Sequence, residues 1–212
     1  TNPEPREGFV DRALVVAFDQ GITPIIIMTK QDLASGDEFL KTYKDLDISI
    51  HKIDRKSDLT TLKETLSNKI TVLLGHSGVG KSTLVNNLLG STENSESTSD
   101  IRNAYRATGD VNEVTGRGRH TSSSAIALPL TPTFSGEEFG WIIDTPGVRS
   151  FGIAHIQPSR VISAFAEFSE AVAHCPKNCS HNEKECALNN WPGFTNQNLA
   201  RLASLRRVLS TQ

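Results

Sequence analysis

One stretch of this chain admits few folds. Residues 70–74 are an apolar run, Leu84, Val85, Leu88 and Leu89 share one helical face, and Gly75-His76-Ser77-Gly78-Val79-Gly80-Lys81-Ser82 joins the two. The segment fits G-x-x-x-x-G-K-[ST] in the strand-then-helix setting that the pattern requires. Its glycines let backbone N–H groups converge on phosphate oxygens, and the N-terminus of the following helix adds a favourable dipole. Lys81 is placed to reach the β- and γ-phosphates of a nucleotide and Ser82 to hold Mg²⁺, with Thr83 next in the cradle. The alternative is a plain glycine turn, and the coincidence of strand, Lys, Ser and helix argues against it.

Elements on either side extend the pattern. Residues 9–20 show helical spacing that Gly21 would stop, and Ile25-Ile26-Ile27-Met28 is a short apolar strand. Residues 48–53 alternate like a strand, and Leu59, Leu62 and Leu66 mark a helix with Thr61 and Glu64 spaced as a capping box. Further strands are expected at 125–130 and 141–143, and helices around 159–173 and 196–209. Strands alternating with helices predict an α/β fold with a mostly parallel sheet, followed by a small helical C-terminal domain. The polar segment 91–124 is long for a connection, and a loop of that length in a compact domain is usually functional or mobile.

Two further motifs fall at strand ends. Asp144-Thr145-Pro146-Gly147 follows the strand at 141–143, so the carboxylate would face Mg²⁺ and the Gly147 amide the γ-phosphate. Thr29-Lys30-Gln31-Asp32 follows the strand at 25–28 and matches N-K-x-D with Thr in first place. Asp32 could accept hydrogen bonds from guanine N1–H and the 2-amino group, a pairing adenine cannot offer. The rival reading has Asp32 capping the next helix. The base-reading motif precedes the phosphate loop here, the reverse of small GTPases, so the order is a cyclic shift that circular permutation permits.

Cys175, Cys179, His181 and Cys186 form C-x3-C-x-H-x4-C, which takes in all three cysteines of the chain. Three soft thiolates and an imidazole suit a closed tetrahedral Zn²⁺ site, with free thiols or one disulfide as the alternative. An odd count confined to one stretch favours a reducing compartment, so a cytoplasmic location is expected. The 22 basic against 24 acidic residues give a net charge of −2, which excludes a broadly basic nucleic-acid binder. Any RNA contact must rest on local patches, for which Arg117 and Arg119 are better candidates than Arg201, Arg206 and Arg207. No apolar run approaches the roughly 20 residues of a membrane span, so no membrane partner is expected, and with no basic-then-apolar segment in these residues no export is expected.

Together these residues resemble the circularly permuted GTPases of the RsgA (YjeQ) type. The matching segments are Thr29-Lys30-Gln31-Asp32-Leu33, residues 75–83, Gly116-Arg117-Gly118-Arg119-His120-Thr121, residues 144–147 with Arg149 and Phe151, and the Cys/His cluster. The resemblance implies a permuted GTPase domain over residues 1–152 and a zinc-binding helical domain over 153–212. It implies a monomer that binds GTP or GDP with Mg²⁺ held by Ser82, Thr121 and Asp144. It also implies GTP hydrolysis stimulated by the small (30S) ribosomal subunit and its rRNA, in late maturation of that subunit. The catalytic set would be Lys81, Thr121, Gly147 and, as the water-placing candidate, His120, whose alternative is a solvated loop imidazole. Val148 stands where many GTPases carry a Gln that orients water, so intrinsic hydrolysis should be slow. The family's N-terminal OB-fold, and with it the first strand of the permuted domain, is expected to be missing from these residues. The rivals are an ATP-dependent phosphate-loop enzyme and a non-catalytic, zinc-stapled RNA-binding module that senses nucleotide.

Overall fold

β-branched and long apolar side chains at residues 25–28 favour extended backbone, and they form strand β1, Ile25–Met28. It pairs in parallel with β2, Ser49–Lys52, in the register Ile26 to Ile50 and Met28 to Lys52. Helix α1, Glu7–Asp19, precedes β1 and ends as predicted: Gly21 takes φ +65° and the Ile22 amide donates to the Ala17 carbonyl at 2.8 Å. A short helix α2, Asp37–Leu40, lies between the two strands. The computed structural model describes residues 3–89, 125–130, 140–148 and 152–211.

The chain divides into two compact units, one of Pro3–Lys52 with Ser150–Gln212, the other Ile53–Arg149. In the first unit, Leu14, Ile26, Met28, Leu40 and Tyr43 bury together around the β1–β2 pair. A second cluster of the same unit gathers Val15 of α1 with Val161, Phe165, Phe168, Leu188, Leu202, Leu205 and Val208. Phe165 lies between α5 (Pro158–Ser163) and a 3₁₀ turn (Ala166–Phe168); the others come from these two, a second such turn (Ala187–Asn189) and α7 (Asn196–Leu209), with α6 (Ser169–Val172) alongside. The single helix expected around 159–173 is therefore broken. Phe165 leaves helical geometry at φ −117°, ψ 62°, and the kink lets Phe165 and Phe168 bury together with ring centroids 6.3 Å apart.

The second unit holds helix α3 (Thr60–Leu66), strand β3 (Ile70–Leu73), helix α4 (Lys81–Leu89) and strands β4 (Ile126–Leu130) and β5 (Gly140–Asp144). The sheet order is β3-β5-β4, with β3 parallel to β5 and β4 antiparallel to it. The capping box expected at Thr61 and Glu64 is absent. The helix already begins at Thr60, so Thr61 lies inside it, and Asp58 Oδ1 accepts from the Thr60 amide at 2.9 Å instead. A reciprocal box occurs in α7, where Thr195 and Asn198 each accept from the other's backbone N–H. Leu84, Val85, Leu88 and Leu89 of α4 are all buried, as their spacing predicts.

Candidate functional site

Parallel pairing of β3 with β5 decides the geometry of the phosphate loop. Leu73 sits opposite Asp144, so both strands reach their C-terminal ends at the same level, where ligands of open α/β sheets bind. The glycine loop leaves β3 there and residues 144–147 leave β5 beside it. Three contacts join them. Thr145 Oγ1 donates to the Leu73 carbonyl at 2.5 Å, the Val148 amide donates to the Gly75 carbonyl at 3.2 Å, and Gly147 lies against Ser77. A Cβ at Gly147 would come within 2.8 Å of the Ser77 nitrogen, so only glycine fits that approach.

Gly78 and Gly80 adopt φ +81° and +95°, which L side chains resist, and the loop turns its backbone through them into α4. Lys81 folds back over the loop: its Nζ donates to the carbonyls of Gly75 at 2.7 Å and His76 at 3.2 Å. Burial holds the Lys81 ammonium below its ordinary range, opposed by the charge of Asp144. Ser77, Gly78, Ser82 and Thr83 face solvent, while Gly75 is buried and His76, Val79 and Gly80 are half-buried. Ser82 carries a hydroxyl and Asp144 a carboxylate, one of whose oxygens is buried, and hard oxygen donors of this kind are those Mg²⁺ takes. Val148 offers attacking water no side-chain hydrogen bond, and its amide is committed to Gly75.

The base-reading candidates sit in the other unit, at the C-terminal end of β1. Lys30 takes φ +56°, an uncommon conformation for a residue with a side chain, and Leu33 N donates to Lys30 O at 3.0 Å to close the turn. Asp32 is exposed and Thr29 half-buried. Helix α2 starts at Asp37 with Gly36 as its N-cap, so Asp32 does not cap it and that rival reading falls. Gln31 Nε2 is a buried donor without an acceptor among the described residues. His120, Thr121, Arg117, Arg119, Arg149 and Phe151 lie outside the described residues.

Cys175, Cys179, His181 and Cys186 converge, with one ligand atom from each and all four within 4.8 Å of one another. His181 Nδ1 lies 3.6 Å from Cys175 Sγ and 3.8 Å from Cys186 Sγ, and those sulfurs are 3.8 Å apart. Zinc bonds of about 2.3 Å to sulfur and about 2.0 Å to nitrogen give tetrahedral edges of roughly 3.5–3.8 Å, so the donors of Cys175, His181 and Cys186 stand at the separation a metal requires, and Cys179 completes a set that lies within 4.8 Å. Burial above all, with hydrogen bonds to Glu183 and Cys186, pushes the Cys179 thiol up to about 12, a balance a divalent cation would reverse. His181 reaches the cluster through a left-handed backbone, φ +66°.

A partner the sequence did not reveal holds it there: Arg206 Nε donates to the His181 carbonyl at 2.8 Å and Nη2 to Asn189 Oδ1 at 2.6 Å. Arg201 is likewise occupied by Glu167 at 2.9 Å, and Arg207 by Glu7 and Asp11 at 2.6 and 2.7 Å. All three C-terminal arginines serve the fold. Their i,i+5 and i,i+6 spacing gave no signal of this, because each partner is distant in sequence.

A strand-borne phosphate loop entering a helix, with an Asp-x-x-Gly segment on the next parallel strand, defines a phosphate-loop nucleotide-binding α/β protein. The chain belongs to the RsgA GTPase family, whose model matches residues 1–154. It is 38% identical over 189 residues to the small ribosomal subunit biogenesis GTPase RsgA of Shewanella oneidensis, covering 84% of this chain and 48% of that protein. It is 33% identical over 222 residues to the protein of the same name from Ectopseudomonas mendocina, covering 99% of this chain and 59% of that one. The chain thus spans about half to three-fifths of the length of these curated relatives. The crystal structure of YjeQ from Thermotoga maritima matches with a TM-score of 0.56 at 24% identity, over 96% of this chain and 67% of that one, a likeness of fold. The YjeQ-type GTPase fold, mixed α/β with parallel strand pairs and a Cys₃His cluster near the C-terminus, agrees with the fold class expected from the sequence.

Proposed function

We propose that this chain binds GTP and hydrolyses it to GDP and phosphate, stimulated by the small ribosomal subunit during its late maturation. The observation that carries the reading is the junction of the phosphate loop with residues 144–147 at adjacent strand ends, through Thr145, Val148 and Gly147. Family membership and relatives named small ribosomal subunit biogenesis GTPase support it. In this reading residues 1–152 are the GTPase domain and 153–212 the zinc-binding domain of a cytoplasmic monomer. Among the described residues no helix is long and apolar enough to cross a membrane.

The loop amides from Gly75 to Lys81 would receive the phosphates, and Lys81 would exchange its carbonyl acceptors for the β- and γ-oxygens. That exchange needs no large movement of the side chain, since Nζ already stands over the loop. Mg²⁺, when bound, supplies charge neutralisation between those oxygens; Ser82, Asp144 and Thr121 would hold it. The Gly147 amide would donate to the γ-phosphate, and Asp32 would accept from guanine. Without a side-chain donor at Val148, water must be oriented from elsewhere, with His120 as the candidate. Residues 91–124 would order around the γ-phosphate and so couple nucleotide state to rRNA contact through Arg117 and Arg119. Cys175, Cys179, His181 and Cys186 would hold Zn²⁺ as a staple for the segment that carries them.

The deciding experiment measures phosphate release from GTP and ATP, with and without small ribosomal subunits, for the wild type and Asp32→Asn. Slow release from GTP, accelerated by subunits, with GTP preference lost in Asp32→Asn, is expected. Unchanged preference in Asp32→Asn would remove the guanine assignment. Bound GTP recovered intact under both conditions would leave a binding module.

A further inference from the structure

Val148 offers the attacking water no side-chain partner, so the other polar groups around the exit of β5 decide what can hold that water. Most of them are already engaged. The Val148 amide donates to the Gly75 carbonyl at 3.2 Å, and Thr145 Oγ1 donates to the Leu73 carbonyl at 2.5 Å. The Lys81 ammonium stands on the carbonyls of Gly75 and His76, and its expected partners in a nucleotide complex are the β- and γ-oxygens. Ser82, in the first turn of α4, is the expected Mg²⁺ donor.

Ser77 is the group left over. It is exposed, and its hydroxyl makes no hydrogen bond among the described residues. Its place is set by main-chain packing: a Cβ on Gly147 would lie 2.8 Å from the Ser77 nitrogen, 3.0 Å from its Cα and 3.1 Å from its Cβ. The Ser77 oxygen is one bond beyond that Cβ, so it stands beside the segment whose Gly147 amide would donate to the γ-phosphate. Gly78 follows at φ +81° and turns the main chain away, which leaves the Ser77 side chain facing solvent. A small side chain is all that the approach to Gly147 demands, and alanine would meet that demand. Packing therefore does not account for the hydroxyl.

We propose that Ser77 is a catalytic residue of GTP hydrolysis, its hydroxyl holding the attacking water against the γ-phosphate. The inference rests on the GTPase reading above. A hydroxyl both accepts and donates, so Oγ accepts from the water while its O–H donates to a γ-phosphate oxygen. That bridge fixes the water on the side of the phosphorus where in-line attack begins, and positioning of this kind is most of what a protein contributes to phosphoryl transfer. The water oxygen bonds to the γ-phosphorus as the bond from that phosphorus to the β–γ bridging oxygen breaks, and the electron pair leaves with GDP. One water proton stays on the oxygen that has attacked and the other passes to a γ-phosphate oxygen, which gives dihydrogen phosphate. Ser77 keeps its own proton throughout.

The test follows single-turnover phosphate release by the full chain with Mg²⁺, with and without small ribosomal subunits, for the wild type, Ser77→Ala and Ser77→Thr. Affinities for GDP and for a non-hydrolysable GTP analogue are titrated in parallel. Ser77→Ala should slow release about a hundredfold under both conditions, the loss expected of a displaced reactant. Both affinities should stay at the wild-type level, because the contact matters in the transition state rather than in binding. Ser77→Thr keeps the hydroxyl and should recover most of the rate. A serine with a merely structural role would lower the affinities together with the rate, and that pattern would overturn the proposal. So would wild-type release by Ser77→Ala, or release by Ser77→Thr as slow as by Ser77→Ala. Those results leave GTP hydrolysis itself standing, whereas a wild type that releases no phosphate under either condition removes the GTPase reading and the role of Ser77 with it.

Discussion

The backbone of Ser77 packs directly on Gly147: a Cβ added there would stand 2.8 Å from the Ser77 nitrogen and 3.0 Å from its Cα. No side-chain rotation can relieve that contact, since both atoms are main chain. The phosphate loop and the segment after β5 are therefore held at one fixed separation.

Gly147→Ala must push the loop away from β5. The expected cost is about 1–3 kcal/mol of stability, typical of overpacking. Nucleotide affinity should fall further than that of a distant surface variant, because displaced amides no longer converge on phosphate. Titration with a fluescent-labelled guanine nucleotide, alongside thermal melts, separates the two effects. Wild-type affinity in the variant would show that the contact plays no part in binding.

Cys186 is 3% exposed, the most buried of the three thiols, and its sulfur touches both Cys175 and His181. Cys186→Ser, or removal of metal by a strong chelator, should release one zinc per chain. Loss of about 3 kcal/mol would lower the melting temperature by roughly 6–12 °C in a chain of this size. Metal analysis by mass spectrometry with parallel melts checks both. Protein that never contains zinc, yet melts like the chelated form, would turn the cluster into three ordinary thiols.

Much of this architecture is legible in the sequence because its signals are local. β1, β3, α4 and α7 each follow from a run or a helical spacing within one segment, and the four cluster residues lie within 12 positions of one another. What the sequence conceals depends on distant partners. Phe165 breaks a helix because burial beside Phe168 outweighs helical continuity. Asp11, Tyr43 and Arg207 look like ordinary helix and surface residues, yet Tyr43 Oη donates to Asp11 Oδ1 at 2.9 Å and Arg207 reaches Asp11 from 196 positions away. Periodicity carries no information about such pairings.

That network has a pH signature. Burial raises the Asp11 carboxyl above its ordinary value of 3.8, against the lowering effects of the Tyr43 hydrogen bond and the Arg207 charge. The folded state thus binds more protons at Asp11 than the unfolded chain, and the stability contributed by this group falls as pH rises from about 4 through its folded pKa. Asp11→Asn removes the titration. The stability difference between wild type and Asp11→Asn should therefore shrink with rising pH across that window and level off above it. Urea melts at a series of pH values measure it; a difference that grows with pH would mean that Arg207 outweighs burial.

Arg206 is the last point at which the structure adds to the metal site. His181 presents its imidazole from a left-handed backbone, and the Arg206 guanidinium accounts for it by donating to the His181 carbonyl at 2.8 Å while gripping Asn189 at 2.6 Å. Arg206→Ala leaves all four donors in place but frees the turn that aims one of them. Outer-sphere partners of zinc ligands typically matter by about 10–100-fold in metal affinity, and that loss is expected here. Arg206→Lys keeps the charge without the two-pronged geometry, so it should restore less than half of the lost binding free energy. Competition with a chromophoric chelator gives the affinities directly. Equal zinc retention in the wild type and Arg206→Ala would show that the cluster is aimed by its own loop, and that Arg206 serves only to fasten α7.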